Sequence, residues 1–176
     1  EFYLHDPEDD ESIASNTVLS LTEDAEGNLW VGTFEGGLCK LDPDANTFKT
    51  WAHLPGDPNS LSNNNVWAIR FDNKNRMWLG TQGGLNLVEN PMNRMLFKHI
   101  TKRHGLPGNV IFGLAEDSGG NIWMSTFNGI ARVNNSVLQN INDLSGYSAD
   151  PFNPLITRFD ESFGLQGNEF NQGASF

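Results

Sequence analysis

Three times the chain runs through nearly the same order of residues, and each copy is anchored on a tryptophan: Trp30, Trp78 and Trp123. An acid stands six residues before each anchor (Asp24, Asp72, Asp117), and a branched aliphatic twelve before (Val18, Val66, Ile111). Fourteen before lies an asparagine (Asn16, Asn64, Asn109), and seventeen before lies Ile13, Leu61 or Leu106. After each anchor come Gly32-Thr33, Gly80-Thr81 or Ser125-Thr126, then Gly37-Leu38, Gly84-Leu85 or Gly129-Ile130. The tryptophans are 48 and 45 residues apart. A unit of this length cannot bury its apolar face alone, so the chain must stack similar units into an array.

The unit itself reads as β-structure. Val18-Leu19-Ser20-Leu21-Thr22 is rich in β-formers, Asp24 to Asn28 is a cluster of turn residues, and Leu29 to Thr33 resumes a strand, as in a hairpin. The third copy turns on Asp117 to Asn121, with two glycines. The second (Asp72 to Arg76) has none but keeps Asn75, and asparagine tolerates positive φ. Glu35-Gly36-Gly37 reverses the chain into Leu38 to Leu41, Asp42 to Asn46 breaks that strand, and Phe48 to Trp51 makes a fourth. No segment sustains a helical period. Four short antiparallel strands per unit of about 45 residues predict an all-β fold, a β-propeller fragment of four-stranded blades. The expected blades span 18–51, 66–100 and 111–159, with the last strand of a preceding blade at 2–5 and the start of another at 165–176. Ser20, Ala68 and Gly113 are small beside the large Leu19, Trp67 and Phe112, which suits close packing of neighbouring sheets.

The repeated pattern, (Ile/Leu)-x-x-Asn-x-(Val/Ile)-x5-Asp-x5-Trp-x-(Gly/Ser)-Thr, resembles the two-component regulator propeller repeat. The resemblance runs from Phe2 to Phe176, and Leu165 to Asn171 restarts the pattern 59 residues after Asn109. The family builds the extracytoplasmic sensor regions of bacterial hybrid histidine kinases, especially those tied to polysaccharide use. The resemblance therefore implies a non-enzymatic periplasmic ligand-sensing segment, responding to an oligosaccharide and signalling to a kinase elsewhere in a longer chain. It implies as partners the remaining blades of its own propeller or a second copy, within a homodimeric receptor. Such sensors carry two propellers of about seven blades, a membrane segment and a kinase, whereas three full repeats are present here. The opening Phe2-Tyr3-Leu4-His5 aligns at the 48-residue offset with the last strand of a blade, so the chain reads as a piece of a ring whose ends would self-associate. Two alternatives stand beside this reading: a propeller enzyme similar to the streptogramin lyases, and a non-catalytic protein-interaction scaffold.

Composition narrows the partners. A net charge of −11 and a pI near 4.6 speak against nucleic acid and against anionic membrane, both of which need basic surface. The 12 Phe and 5 Trp supply material for a sizeable core. No apolar run is long enough to span a bilayer. Cys39 cannot form an internal disulfide and reads as a small buried apolar residue. His5, His53, His99 and His104 lack metal-ligand spacing, and Asp42 to Asn46 imitates only the start of a calcium loop. No phosphate loop or nucleophile elbow occurs. No cofactor, metal or catalytic group is expected.

The recurrent residues read as structural. Asn16, Asn64 and Asn109, with a further Asn168, sit where a short amide can bond its own backbone, ligand contact being the alternative. Asp24, Asp72 and Asp117 begin turns, and the three tryptophans pack between blades. Functional information then lies where the copies differ. In an antiparallel blade, the loop entering the first strand and the loop joining the second and third share one face. That face should gather Phe34, Glu35, Gln82, Phe127 and Asn128: amides, one carboxylate and two rings, a set suited to a polyhydroxylated ligand. Arg70, on an inner strand, could line the axial channel and meet an anionic sugar, or pair with a neighbouring acid.

Overall fold

A computed structural model describes residues 2–139, 144, 147, 152, 154–165 and 167. Twelve strands form three four-stranded antiparallel sheets. The first contains β1 (Val18–Glu23), β2 (Leu29–Thr33), β3 (Leu38–Asp42) and β4 (Thr47–Trp51), paired in that order. The second contains β5 (Val66–Phe71), β6 (Met77–Thr81), β7 (Gly84–Val88) and β8 (Lys98–Ile100). The third contains β9 (Ile111–Glu116), β10 (Ile122–Thr126), β11 (Gly129–Val133) and β12 (Ile156–Phe159), with a single helical turn, α1 (Asn135–Leu138), between its last two strands. This is the all-β meander of propeller blades. Residues 2–5, expected as a strand, lie in no sheet, because no described strand runs beside them to pair with. The restart at Asn168 lies outside the described residues.

The core lies between the sheets. Trp30 and Leu38 of the first blade share one apolar cluster with Leu61, Val66, Met77 and Leu79 of the second. Trp78, Leu85 and Ile100 of the second share another with Ile111, Leu114 and Met124 of the third. A third cluster lays Ile13 against Val31, Cys39 and Phe48, with Tyr3 edge-on to Phe48 at 5.2 Å. Gly32 and Gly80 set the spacing. A Cβ at Gly32 would lie 2.6 Å from the Val66 carbonyl oxygen, and one at Gly80 would lie 2.9 Å from that of Ile111. Only a hydrogen fits where the next inner strand comes this close. Ser20, small as expected, donates its hydroxyl across the same gap to the Val66 carbonyl at 3.1 Å.

Each repeated Asp and Trp forms one device. Asp24 accepts from the backbone N–H of Glu26 and Asn28 (3.1 and 2.8 Å) and from the Trp30 indole (2.8 Å). Asp72 accepts from Lys74 and Arg76 N–H and the Trp78 indole (2.9, 3.0 and 2.9 Å). Asp117 accepts from Gly119 and Asn121 N–H and the Trp123 indole (2.9, 3.0 and 2.8 Å). The carboxylate thus closes the β-turn and fixes the ring that the next blade packs on, a link the sequence reading did not draw. The turn requires positive φ at one place, and Gly27, Asn75 and Gly120 supply it at 85°, 56° and 74°. A cation lies over each ring at 5.4 Å: Lys40, Arg76 and Arg132, in the second blade from the turn and in the others from the neighbouring strand. Trp30 and Trp78 are fully buried, whereas Trp123 is half-buried and stacks on Phe159 at 5.0 Å.

Electrostatics follows the geometry. Burial is the largest single influence on Asp24 and pushes its carboxyl up, but the bonds from Trp30, Asn28 and Glu26 together hold it below the usual range. Asp72 behaves likewise under Trp78 and Arg76. Asp117 is held at about 2, chiefly by the Trp123 indole, against a smaller upward push from burial. Burial raises the Cys39 thiol.

Candidate ligand-binding face

The repeated asparagines do not bond their own backbone. Asn16 and Asn64 accept from the N–H of His5 and His53, eleven residues upstream (2.8 and 2.6 Å), and Asn109 accepts from that of Lys102 (3.3 Å). The rings of His5 and His53 close the same arches by donating to the carbonyls of Ile13 and Leu61, both at 2.8 Å. The two histidines stand at the 48-residue offset, so this pairing was legible in the sequence and was missed. His99 donates to the Ser60 carbonyl (2.7 Å), and His104 lies within 2.9 Å of the Leu144 carbonyl. Burial pushes His104 down in pKa; the Leu144 carbonyl opposes this and Arg103 adds to it. All four histidines are therefore tied to main chain.

The arches deliver each inner strand to one face, and the β2–β3, β6–β7 and β10–β11 loops arrive beside them. The repeated threonines shape those loops: Thr33, Thr81 and Thr126 donate to the carbonyls of Gly37, Gly84 and Gly129 at 2.8, 2.9 and 2.9 Å. Phe34 N–H bonds the Thr17 carbonyl at 2.9 Å, and Gln82 N–H the Asn65 carbonyl at 3.3 Å. The Asn128 amide donates to the Pro107 carbonyl at 3.1 Å. The Asn65 side chain links loop tips of two blades, accepting from Glu35 N–H at 2.7 Å while donating to the Gln82 side-chain oxygen at 2.6 Å. Phe34, Glu35, Gln82, Phe127 and Asn128 are all exposed on this face, so the structure brings these five together.

Arg70 stands apart. Val66 pairs with Thr81 at the face end of β5, whereas Arg70 pairs with Trp78. Four residues at about 3.3 Å each place it roughly 13 Å further along the strand, towards the Asp72 turn. It is exposed and takes no part in the ion pairs of the described residues, Arg76–Asp72 and Lys98–Glu89. The alternative read for it, a pairing with a neighbouring acid, is not formed among the described residues.

Two further aromatic residues belong to the face. The register of each inner strand slips after its first residue, so Leu19, Trp67 and Phe112 occupy bulges. Phe127 meets Phe112 edge-on at 4.6 Å, and Phe112 meets Trp67 at 5.6 Å, forming a row of rings that starts at the loop tip and crosses into the second blade. The sequence marked Trp67 and Phe112 only as packing residues; the bulges that they occupy leave no signal in composition.

Stacked four-stranded meanders with their inner-hairpin loops gathered at one end define an array of propeller blades. The family model described as two component regulator propeller matches three stretches of the chain, residues 12–35, 60–83 and 105–128. Each matched stretch runs from the arch through the inner hairpin to the face loop, the part that touches both neighbouring blades. Among solved structures, the chain is similar to the extracellular domain assigned to the hybrid two component system BT3049 of B. thetaiotaomicron. Identity is 26% and the TM-score 0.75, over 98% of this chain and 20% of that one. The extracellular domain of BT4673 of the same organism shares the fold at 22% identity and TM-score 0.65, over 77% and 19% of the two chains. Virginiamycin B lyase of Staphylococcus aureus shares it more distantly, at 15% identity and TM-score 0.51, over 68% and 39%. The chain spans about a fifth of the length of the first two. A comparison with curated proteins gives no match. No helix among the described residues is long and apolar enough to cross a membrane.

Proposed function

We propose that this chain is a ligand-sensing segment of an extracytoplasmic receptor of the hybrid two-component type, with a polyhydroxylated ligand, an oligosaccharide, taken on the face described above. The carrying observation is the Asn65 clamp: it fixes loop tips of different blades on one surface while Phe34, Gln82 and Phe127 differ from copy to copy. One asymmetric ligand on a pseudo-symmetric array needs fixed positions and unlike side chains. Amides offer paired hydrogen bonds, and rings offer an apolar plane. The likeness to extracellular domains of hybrid two-component systems supports a periplasmic location and a histidine kinase elsewhere in a longer, homodimeric protein, where ligand binding would shift a pre-existing equilibrium. Further blades of the same ring, or a second copy, would cover the outer faces of the array.

A lyase reading finds less support. A histidine in the face loops would favour it, whereas the four of this chain lie outside those loops and are bonded to main chain. Isothermal titration of oligosaccharides tests the proposal. Alanine at Phe34, Gln82 and Phe127 together should weaken binding by about 1–3 kcal/mol per well-buried contact. Unchanged affinity would move the site off this face.

A further inference from the structure

The first blade differs from the others by one residue. Between the repeated threonine and the positive-φ glycine stand Phe34-Glu35-Gly36 in the first copy, but only Gln82-Gly83 and Phe127-Asn128 in the second and third. The added residue introduces Glu35, the single charged side chain of the three loop tips. Its backbone adopts φ 61°, a conformation that costs energy for a residue with a Cβ, and Asn65 of the next blade holds its N–H there. The backbone of Glu35 is thereby held in place on the face, and its side chain is exposed there.

Its surroundings carry the same sign. A cavity of about 250 Å³ borders Glu35 and Asn64 and is lined by Asp6, Asp9 and Asp10 together with His5, whose ring is bonded to the Ile13 carbonyl. Across the face runs the Trp67–Phe112–Phe127 row, with Phe127 exposed, Trp67 half-buried, and the Trp67 indole N–H free of any hydrogen-bond acceptor. Arg70 lies towards the far end of its strand from this face.

On the reading of this face as a glycan site, we propose that its occupant is a neutral oligosaccharide, stacked on Phe127 and Trp67, and that Glu35 excludes acidic sugars. Aromatic planes take the C–H face of a pyranose irrespective of charge, so they confer no discrimination between neutral sugars and uronates. Discrimination comes from the carboxylate. Glu35 can accept hydrogen bonds from a vicinal diol, whereas it repels a uronate, and like charges brought together at an interface are a strong means of rejecting a ligand. The insertion thus gives one blade a charge filter that the other two lack.

The test is calorimetric titration of the full chain and its Glu35→Gln variant with neutral hexasaccharides from xylan, glucan and mannan, and with hexagalacturonate. The expected result is binding of a neutral hexasaccharide, with hexagalacturonate at least about tenfold weaker, a gap that narrows in high salt as screening predicts. Glu35→Gln should strengthen hexagalacturonate by about fivefold or more while leaving the neutral ligand within about twofold. Hexagalacturonate binding as tightly as the neutral sugars, or an unchanged ratio in Glu35→Gln, overturns the charge filter and leaves the glycan site standing. Failure of every hexasaccharide to bind overturns both.

Discussion

Replacing Asp117 with asparagine should remove stability that depends on pH in a defined direction. Asp117 has its carboxyl lowered from an ordinary 3.8 to about 2, principally by the Trp123 indole. At about 1.36 kcal/mol per pKa unit this corresponds to a little over 2 kcal/mol, and screening at a partly exposed site reduces it to about 1–2 kcal/mol. A carboxyl depressed in the folded state stabilises above its unfolded pKa, and the contribution is lost as pH falls through the folded value. The contribution is therefore complete above about pH 5, declines from pH 4, and is largely gone near pH 2. Urea denaturation followed by circular dichroism measures it. With a slope near 2 kcal/mol per molar, Asp117→Asn should lower the midpoint by about 0.5–1 M at pH 6. The gap between wild type and variant should close progressively towards pH 2. Trp123→Phe should move the Asp117 carboxyl back towards 3.8, read by NMR titration. A gap that stays constant between pH 6 and 2, or an Asp117 titration indifferent to Trp123→Phe, would refute the assignment of the indole as the controlling partner.

Gly80→Ala places a methyl 2.8 Å from the Ile111 side chain and 2.9 Å from its carbonyl, and should destabilise the chain by about 1–3 kcal/mol in thermal melts. Gly108→Ala, whose Cβ would have 3.8 Å of clearance, should cost under about 1 kcal/mol, and equal losses at the two sites would contradict the close blade approach. Cys39 is fully buried with its thiol pushed up by burial, so it should be silent to a thiol reagent at neutral pH until denaturant is added. Rapid stoichiometric labelling of the native chain would show that the first blade opens in solution.

The sequence determined the unit and its number. Tryptophan, acid and asparagine at fixed separations fixed the period, and turn residues punctuated four strands within it, because hairpin chemistry is local and needs only a few neighbouring residues. The same local logic anticipated Asn75 at positive φ, and the buried Cys39 followed from alternation along a strand. The gathering of Phe34, Glu35, Gln82, Phe127 and Asn128 on one face followed from antiparallel connectivity alone. Tertiary structure decided the rest. Asn16 and Asn64 find partners eleven residues upstream, Asn65 reaches into the neighbouring blade, and Arg70 is carried away from the face to which its strand belongs. Trp67 and Phe112 stand at register slips of their strands and join Phe127 in one row of rings across two blades. A bulge or an inter-blade bond depends on where two distant backbones meet, and no pattern along a single chain records that distance.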